Sequence, residues 1–411
     1  MKTEFYVARK FLSGGAQRKS TGLMVSVSVA GIALSLSVMI IAVAVASGFK
    51  AEISMKAVGF AADIQITNMD GQYSLYNMSP ISSGGDFPDR LRMIPEVRHV
   101  QPYCIKPGIM KSRDETQGIV LKGIDKDFEW DFFRKNLQEG EVFDSASSDR
   151  IVISRQTANL LQLKINDAVI IYFVQKPVRM RRFRVSGIYE TGLTEFDKMF
   201  ALVHMSHIQR LNNWREDQIN GFEIFIRHFD QLEKTTDEIF DMAGFSLLAD
   251  GSSLNVQNIR ELYSQLFDWL GLQDTTVYIV LLLMALVAGF NMISGLLIVI
   301  LERTSTIGVL KALGASNRFI RKIFLCESLF FIGKGLFWGN VIALTLCWLQ
   351  WQYGIIPLDQ ESYFLNKVPI RISLAHLLAM NAGTAAAILL MLIVPSSIIS
   401  RISPDAAVKY R

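Results

Sequence analysis

Glu302-Arg303-Thr304-Ser305-Thr306-Ile307-Gly308-Val309-Leu310-Lys311-Ala312-Leu313-Gly314-Ala315-Ser316 follows directly on the apolar run Val277–Leu301, and another apolar run opens at Ser328. Ile307, Leu310 and Leu313 recur at helical spacing, which predicts one face of a short helix about 15 Å long. Gly314 suits the left-handed position that ends such a helix, and Ser316 suits the cap of the next. A short amphipathic helix between two membrane helices has two physical uses. It rests in lipid headgroups, or it enters a groove on a partner at the membrane surface. Composition leaves the two open.

Around this loop the chain divides by polarity. Half of its 411 residues are hydrophobic and only 19% are charged, so part of it must use lipid as solvent. Four runs have the length of about 20 apolar residues that a bilayer requires: Gly22–Phe49, Val277–Leu301, Ser328–Trp348 and Ile372–Ile399. The first has a rival reading, because Ala42-Val43-Ala44 and Ala44-Val45-Ala46 look like signal-cleavage sites. Its apolar stretch is longer than the roughly 7–15 residues of a signal-peptide core, which favours a retained helix.

Positive charge sets the orientation. Lys2, Arg9, Lys10, Arg18 and Lys19 precede the first run, and Arg303, Lys311, Arg318, Arg321 and Lys322 lie between the second and third. Arg401, Lys409 and Arg411 follow the fourth, whereas residues 50–274 hold 26 basic and 32 acidic residues. Both termini and the short loop are therefore expected in the cytoplasm, with the long insert outside.

The resulting plan is an N-terminal amphipathic helix over 1–21, spans at 22–49, 275–301, 328–350 and 372–400, a coupling region at 302–327, an outer loop at 351–371 and a tail at 401–411. Within the insert, 50–274, extended runs are predicted at Ala62–Thr67, Val97–Tyr103, Gly118–Ile124, Ala168–Val174, Phe183–Tyr189 and Phe222–Arg227. Helical patterns cover Asp86–Ile94, Asp230–Ala243 and Asn255–Leu270, the last expected to join Lys50–Phe60 in extending the first two spans outward. Strand, helix, strand recurs on both sides of a strand-rich middle. That order predicts an α+β domain made of a split βαβ unit with a β-rich insertion over 121–215.

Nothing here reads as an enzyme. There is no nucleophile elbow, no H-E-x-x-H and no convincing carboxylate pair. His204 and His207 lack a third ligand, and Cys104, Cys326 and Cys347 form no metal or disulfide pattern. Gly14-Gly15-Ala16-Gln17-Arg18-Lys19-Ser20 superficially matches a phosphate loop, but Arg18 stands where glycine must precede the lysine. The stretch Lys176-Pro177-Val178-Arg179-Met180-Arg181-Arg182-Phe183-Arg184 is the exception to a dispersed surface. It reads either as a solvated hairpin edge or as a projecting loop that docks an acidic or amphipathic partner.

The order E-R-T-x-x-I-G-x-L-K-A-L-G-A after the second span resembles the permeases with the FtsX and MacB transmembrane fold. The likeness is strongest to the LolC/LolE lipoprotein-releasing permeases. It takes in the amphipathic Phe5–Leu12, then Ser47-Gly48-Phe49-Lys50-Ala51-Glu52, Phe290-Asn291-Met292-Ile293, Pro395-Ser396 and the tail Pro404–Tyr410. The resemblance implies a type VII ABC permease architecture, with a porter-like part in the outer domain and a β-rich insertion. It implies a complex of two permease subunits, alike or different, with two ATPase subunits, which extracts triacylated lipoproteins from the inner membrane for a periplasmic carrier. ATP and Mg²⁺ then belong to the ATPase, and this chain binds no cofactor.

Carried onto this sequence, the resemblance assigns ATPase coupling to Glu302, Arg303, Ile307, Gly308, Leu310, Lys311, Leu313, Gly314 and Ala315. Met39, Phe290, Asn291 and Met292 become cavity-wall candidates, although a lone Asn in a span equally serves helix–helix contact. Lys176, Pro177, Arg179, Met180, Arg182 and Phe183 occupy the place of the family's carrier-docking hook, here shortened. Gly335 and Gly339 predict close packing of span three. Lys334 departs from the apolar family pattern and is expected either to snorkel or to pair with Glu327. MacB-like efflux, FtsX-like mechanotransmission and a membrane-anchored scaffold or sensor are the competing functions.

Overall fold

The computed structural model describes residues 19–69, 78–112, 115–143, 149–244, 253–359, 363 and 365–396. The amphipathic segment Phe5–Leu12 and the tail Pro404–Tyr410 lie outside them. The chain forms two compact units. One contains residues up to Ala51, Leu270–Pro357 and Lys367 onward; the other contains Glu52–Trp269 and Leu358–Asn366.

The first unit is built on four helices, Lys19–Ala61, Ser264–Glu302, Asn317–Tyr353 and Leu374–Ser396, each carrying a stretch long and apolar enough to cross a membrane. They are called spans one to four below. They are apolar on all faces, so burial between helices rather than amphipathic patterning decides their contacts. Ile32 of span one, Met292, Leu296 and Val299 of span two, Phe331 of span three and Ile388 of span four form one buried cluster. Small residues bring the backbones close, as expected for helices packing in lipid. A Cβ at Gly335 would stand 2.6 Å from Ile32, and one at Gly339 2.9 Å from the Ala33 carbonyl. Spans three and four are joined by a reciprocal amide pair, Asn340 donating to Asn381 at 2.7 Å and accepting from it at 3.0 Å.

The motif Ser47-Gly48 has a local reason. The Ser47 hydroxyl donates to the Arg371 carbonyl at 2.8 Å, and the Arg371 amide donates to the Ala44 carbonyl at 3.0 Å. A Cβ at residue 48 would lie 2.5 Å from the Pro369 carbonyl oxygen, so only glycine admits the segment that leads into span four.

The second unit carries the strands β1 (Ile64–Asn68), β2 (Ile81–Ser82), β3 (Val97–Ser112), β4 (Glu115–Ile124), β5 (Leu137–Gly140), β6 (Arg150–Ser154), β7 (Ala168–Phe173), β8 (Arg179–Tyr189), β9 (Phe200–His204), β10 (Gln218–Ile219), β11 (Gly221–Ile226) and β12 (Leu254–Asn258). The main sheet runs β12-β1-β11-β3-β4-β9-β6-β8-β5, with β7 bridging β3 and β8. Sixteen-residue β3 joins its two halves. Val97–Tyr103 pairs with β11, and Cys104–Ser112 pairs with β4. Helices Phe87–Arg92 and Leu232–Gly244 flank the β12-β1-β11-β3 half, and residues between β4 and β9 build the rest.

The helix ending at Ala61 meets this sheet through Phe60, whose ring lies 5.2–6.1 Å from those of Phe132, Phe133, Tyr189, Phe196 and Phe200. The Lys122 ammonium donates to the Phe60 carbonyl at 2.5 Å and to Glu223 at 2.7 Å. Both charged side chains are almost wholly buried. Glu223 also accepts from Gln101 at 2.8 Å. A cation at the last carbonyls of a helix complements its dipole, and its carboxylate partner offsets the desolvation.

Two expectations need correction. Residues 255–258 were predicted helical but form most of β12, paired with Ile64–Thr67. Asn258 then caps the helix Ile259–Leu262 through a capping box with Glu261, and the long helix begins at Ser264. Residues 179–182, expected on a loop, belong to β8, so the turn is confined to residues 174–178.

Candidate functional site

The loop after span two folds as the helix Thr304–Ala312. Its C-terminus follows the predicted chemistry. Gly314 takes a φ of +87°, its amide donates to Lys311 and the Ala315 amide donates to Leu310, which is a Schellman closure. Ser316 accepts the Phe319 amide at 3.3 Å and caps span three.

The faces of this helix differ from the expectation. Ile307 and Gly308 are buried, while Leu310 and Ala315 are half-buried against the cluster that joins the spans. Leu313 is 79% exposed. It lies one residue past the last helical turn, so it leaves the face that Ile307 and Leu310 share. Val309, outside the Ile307–Leu310–Leu313 spacing, is 55% exposed. The assigned coupling residues therefore separate into two groups. Ile307, Gly308, Leu310 and Ala315 fasten the helix to the bundle, whereas Leu313 and Gly314, together with Val309, which the sequence reading did not assign, present a small uncovered apolar tip beside Lys311.

Arg303 belongs to the fastening. Its guanidinium lies 3.2 Å from the Glu327 carboxylate of span three, with Glu327 2% exposed. Glu302 is half-exposed beside it. The pairing of Lys334 with Glu327 is not made: Lys334 sits on the exposed side of span three with Leu329, Phe330, Gly333, Phe337 and Trp338. Seven residues separate the two along the helix, about 10 Å by rise. Arg303 enters from the adjoining loop and takes the carboxylate first.

The four cavity candidates do not converge. Met39 is buried with Leu36, Ile40 and Ala343, and Met292 is buried in the larger cluster. Asn291 lies against Gly31, where a Cβ would be 2.5 Å from its Nδ2, and its carbonyl accepts from Ser28 at 3.4 Å. That is helix–helix contact. Phe290 alone is uncovered, and it continues an exposed stripe with Ile279, Leu283 and Val287 along span two.

In the second unit, the cationic stretch divides at Phe183, with Met180, Arg181, Arg182 and Arg184 exposed around it. Phe183 is buried with its ring 4.9 Å from that of His207, so it presents nothing to a partner. Arg179 is spent on the Leu211 carbonyl at 2.9 Å and Asn213 at 3.1 Å. Lys176 and Pro177 are exposed in the turn, and Met180 and Arg182 are exposed at the start of β8. Arg181, Arg182 and Arg210 surround a pocket of about 450 Å³ with Ile170 and Met180. A more apolar cavity of about 660 Å³ is lined by Leu193, Phe196, Leu262, Tyr263, Leu266 and Trp269. Among the described residues no group of His, Cys, Asp and Glu could hold a metal ion.

The chain thus combines four helices fit to cross a membrane, a loop helix clamped by Arg303 and Glu327, and a strand-rich unit. Residues 25–241 match the MacB-like periplasmic core domain family, and residues 278–404 match the FtsX-like permease C-terminal family. The chain belongs to the FtsX/MacB-type permeases.

Its curated relatives make the likeness more particular. The lipoprotein-releasing system transmembrane protein LolE of Haemophilus influenzae is 22% identical over 98% of both chains. The transmembrane protein LolC of Neisseria meningitidis serogroup B is 21% identical over 99% of both. The LolC/LolE resemblance read from the motifs therefore extends along the whole chain. The solved periplasmic region of MacB from Actinobacillus actinomycetemcomitans overlaps 51% of this chain and 94% of that one, at 13% identity and a TM-score of 0.34.

Proposed function

We propose that this chain is the permease subunit of an ATP-driven complex that releases lipoproteins from the inner membrane for transfer toward the outer membrane. Similarity to lipoprotein-releasing membrane proteins over 98% of both chains is the observation that carries this reading. The geometry of the loop helix supports it. Ile307, Leu310 and the Arg303–Glu327 pair hold the helix to the spans, leaving Val309 and Leu313 for a groove on a separate ATPase. ATP and Mg²⁺ reside on that partner, in two copies, and this subunit is not catalytic. The chain pairs with a second permease subunit, whose contact and the cargo cavity would use the exposed stripe of span two. The loop helix and both termini face the cytoplasm, as the positive charge of these segments requires.

The task has a large energetic demand. Each methylene left in a bilayer is worth about 0.8 kcal/mol, so three acyl chains with about 40 methylenes are held by roughly 30 kcal/mol. Escape needs an apolar surface to replace lipid and external energy to clear it. The outer domain supplies strand-rich walls, with the β12-β1-β11-β3 half as the porter-like part and residues 121–215 as the insertion of a type VII permease. Lys176, Pro177, Met180 and Arg182 remain available to dock a carrier; the buried Phe183 and the engaged Arg179 do not.

Depletion of the chain in its native cell tests the reading. Acylated lipoproteins stranded in the inner membrane support it. Normal sorting, with loss of efflux or of cell-wall hydrolysis instead, would transfer the chain to the MacB-like or FtsX-like function.

A further inference from the structure

Lys334 is a charge placed inside an apolar run, and nothing in the coupling or packing described above uses it. Exposed Trp351 and Tyr353 mark one membrane interface on span three. Counting back the roughly 20 residues of a hydrocarbon core places the other near Phe331. Lys334 then lies only about 5 Å inside that boundary. Helical side chains lean toward the N-terminus, so its ammonium is carried toward the same surface.

An ammonium this close to the boundary reaches the headgroup layer by snorkelling, where the counter-charges within reach are lipid phosphates unless a protein carboxylate stands nearer. Among the described residues no carboxylate forms an ion pair with Lys334. A second copy of the chain offers none at this depth either, because Gly22–Phe49, Val277–Leu301, Ser328–Trp348 and Ile372–Ile399 contain no Asp or Glu. Glu327, at the edge of span three, is taken by Arg303. The surface around Lys334 is shaped for something narrow and apolar. Gly333 leaves space where a Cβ would meet nothing within 4 Å, and Phe330, Phe337 and Trp338 border a groove of about 430 Å³. Exposed Arg318 and Lys322 add positive charge at the same end of the helix.

We infer that this groove holds an anionic phospholipid, with its phosphate on the Lys334 ammonium and one acyl chain laid over Gly333. Basic pockets on membrane helices near the headgroups recognise such lipids by this chemistry. The leaflet is the cytoplasmic one, which rests on the orientation proposed above; the lipid site itself does not depend on lipoprotein release.

The test uses the complete complex, purified in mild detergent without nucleotide and washed with neutral lipid. Phosphatidylglycerol and cardiolipin that remain bound are then quantified by mass spectrometry. Wild type and Lys334→Arg should retain anionic lipid, whereas Lys334→Ala and Lys334→Glu should retain less by roughly fivefold, the effect of one lysine near the surface. A photoreactive residue in place of Phe337 should label lipid. Equal retention in all four proteins, no anionic lipid in wild type, or labelling of a second permease chain would overturn the inference. Because retention is read without ATP, a complex that released no lipoprotein would still give the expected result. Vesicles with phosphatidylglycerol in a single leaflet report the orientation separately.

Discussion

Arg303 and Glu327 show how one pair of residues can decide what a loop does. A carboxylate 2% exposed inside a helix bundle is costly alone and is held by the guanidinium of the preceding loop. Removing either partner should cost about 3–5 kcal/mol, as expected when a buried charge loses its mate. Glu327→Ala should therefore unfold at clearly lower temperature in detergent, while the exchange Arg303→Glu with Glu327→Arg should recover part of the loss. Equal melting of Glu327→Ala and wild type would contradict this. Neither this pair nor Lys122–Glu223 was legible in the sequence. Lys122 and Glu223 fall inside the predicted extended runs Gly118–Ile124 and Phe222–Arg227 with nothing to mark them, and their meeting depends on a sheet that joins residues about 100 apart.

Asp63 makes a second residue-scale prediction. It is 5% exposed and accepts the Ile226 amide at 2.9 Å. Burial outweighs that hydrogen bond and raises its pKa from 3.8 to about 6. The folded state then binds the proton more tightly than the unfolded one. Asp63 favours folding most below pH 3.8, loses that contribution as pH rises toward about 6, and is level above it. Asp63→Asn should flatten this part of the profile when denaturant midpoints are measured between pH 4 and 7. An unchanged slope would sink the assignment.

At the scale of elements, the loop helix was legible because its ends carry local chemistry. Gly314 and Ser316 act within a few residues of themselves, so their roles survive any tertiary context. Its faces were less legible. Leu313 follows the spacing but not the helix, and only packing shows that Ile307 is an anchor and Val309 part of the tip. Leu313→Glu should therefore lower ATPase co-purification with little change in melting, whereas Ile307→Ala should cost about 2–5 kcal/mol of stability. Gly314→Pro should uncouple ATP hydrolysis from release without preventing membrane insertion. Edge strand β12 was missed because Asn255-Val256-Gln257-Asn258 has no strand composition of its own and is held by β1. Gly335 and Gly339 were legible as a spacing, and their contacts on Ile32 and Ala33 give it force. Gly339→Leu should destabilise the bundle by about 1–3 kcal/mol through overpacking.

For the whole molecule, four spans and a large outer domain followed from hydropathy and charge, because lipid imposes length and apolarity directly. The cargo surface did not. Met39, Asn291 and Met292 are consumed in packing, and Ile279, Leu283, Val287 and Phe290 form an exposed apolar stripe, which the proposed function gives to a second permease subunit. On the proposed function that surface lies between subunits, and a surface of that kind leaves little of itself in one sequence. The decisive measurement is release from proteoliposomes that contain the purified permease, its partner ATPase and a triacylated lipoprotein. ATP should liberate the lipoprotein with the intact chain and not with Leu313→Glu. ATP hydrolysis at full rate by the intact complex, with no lipoprotein leaving the bilayer, would contradict the account.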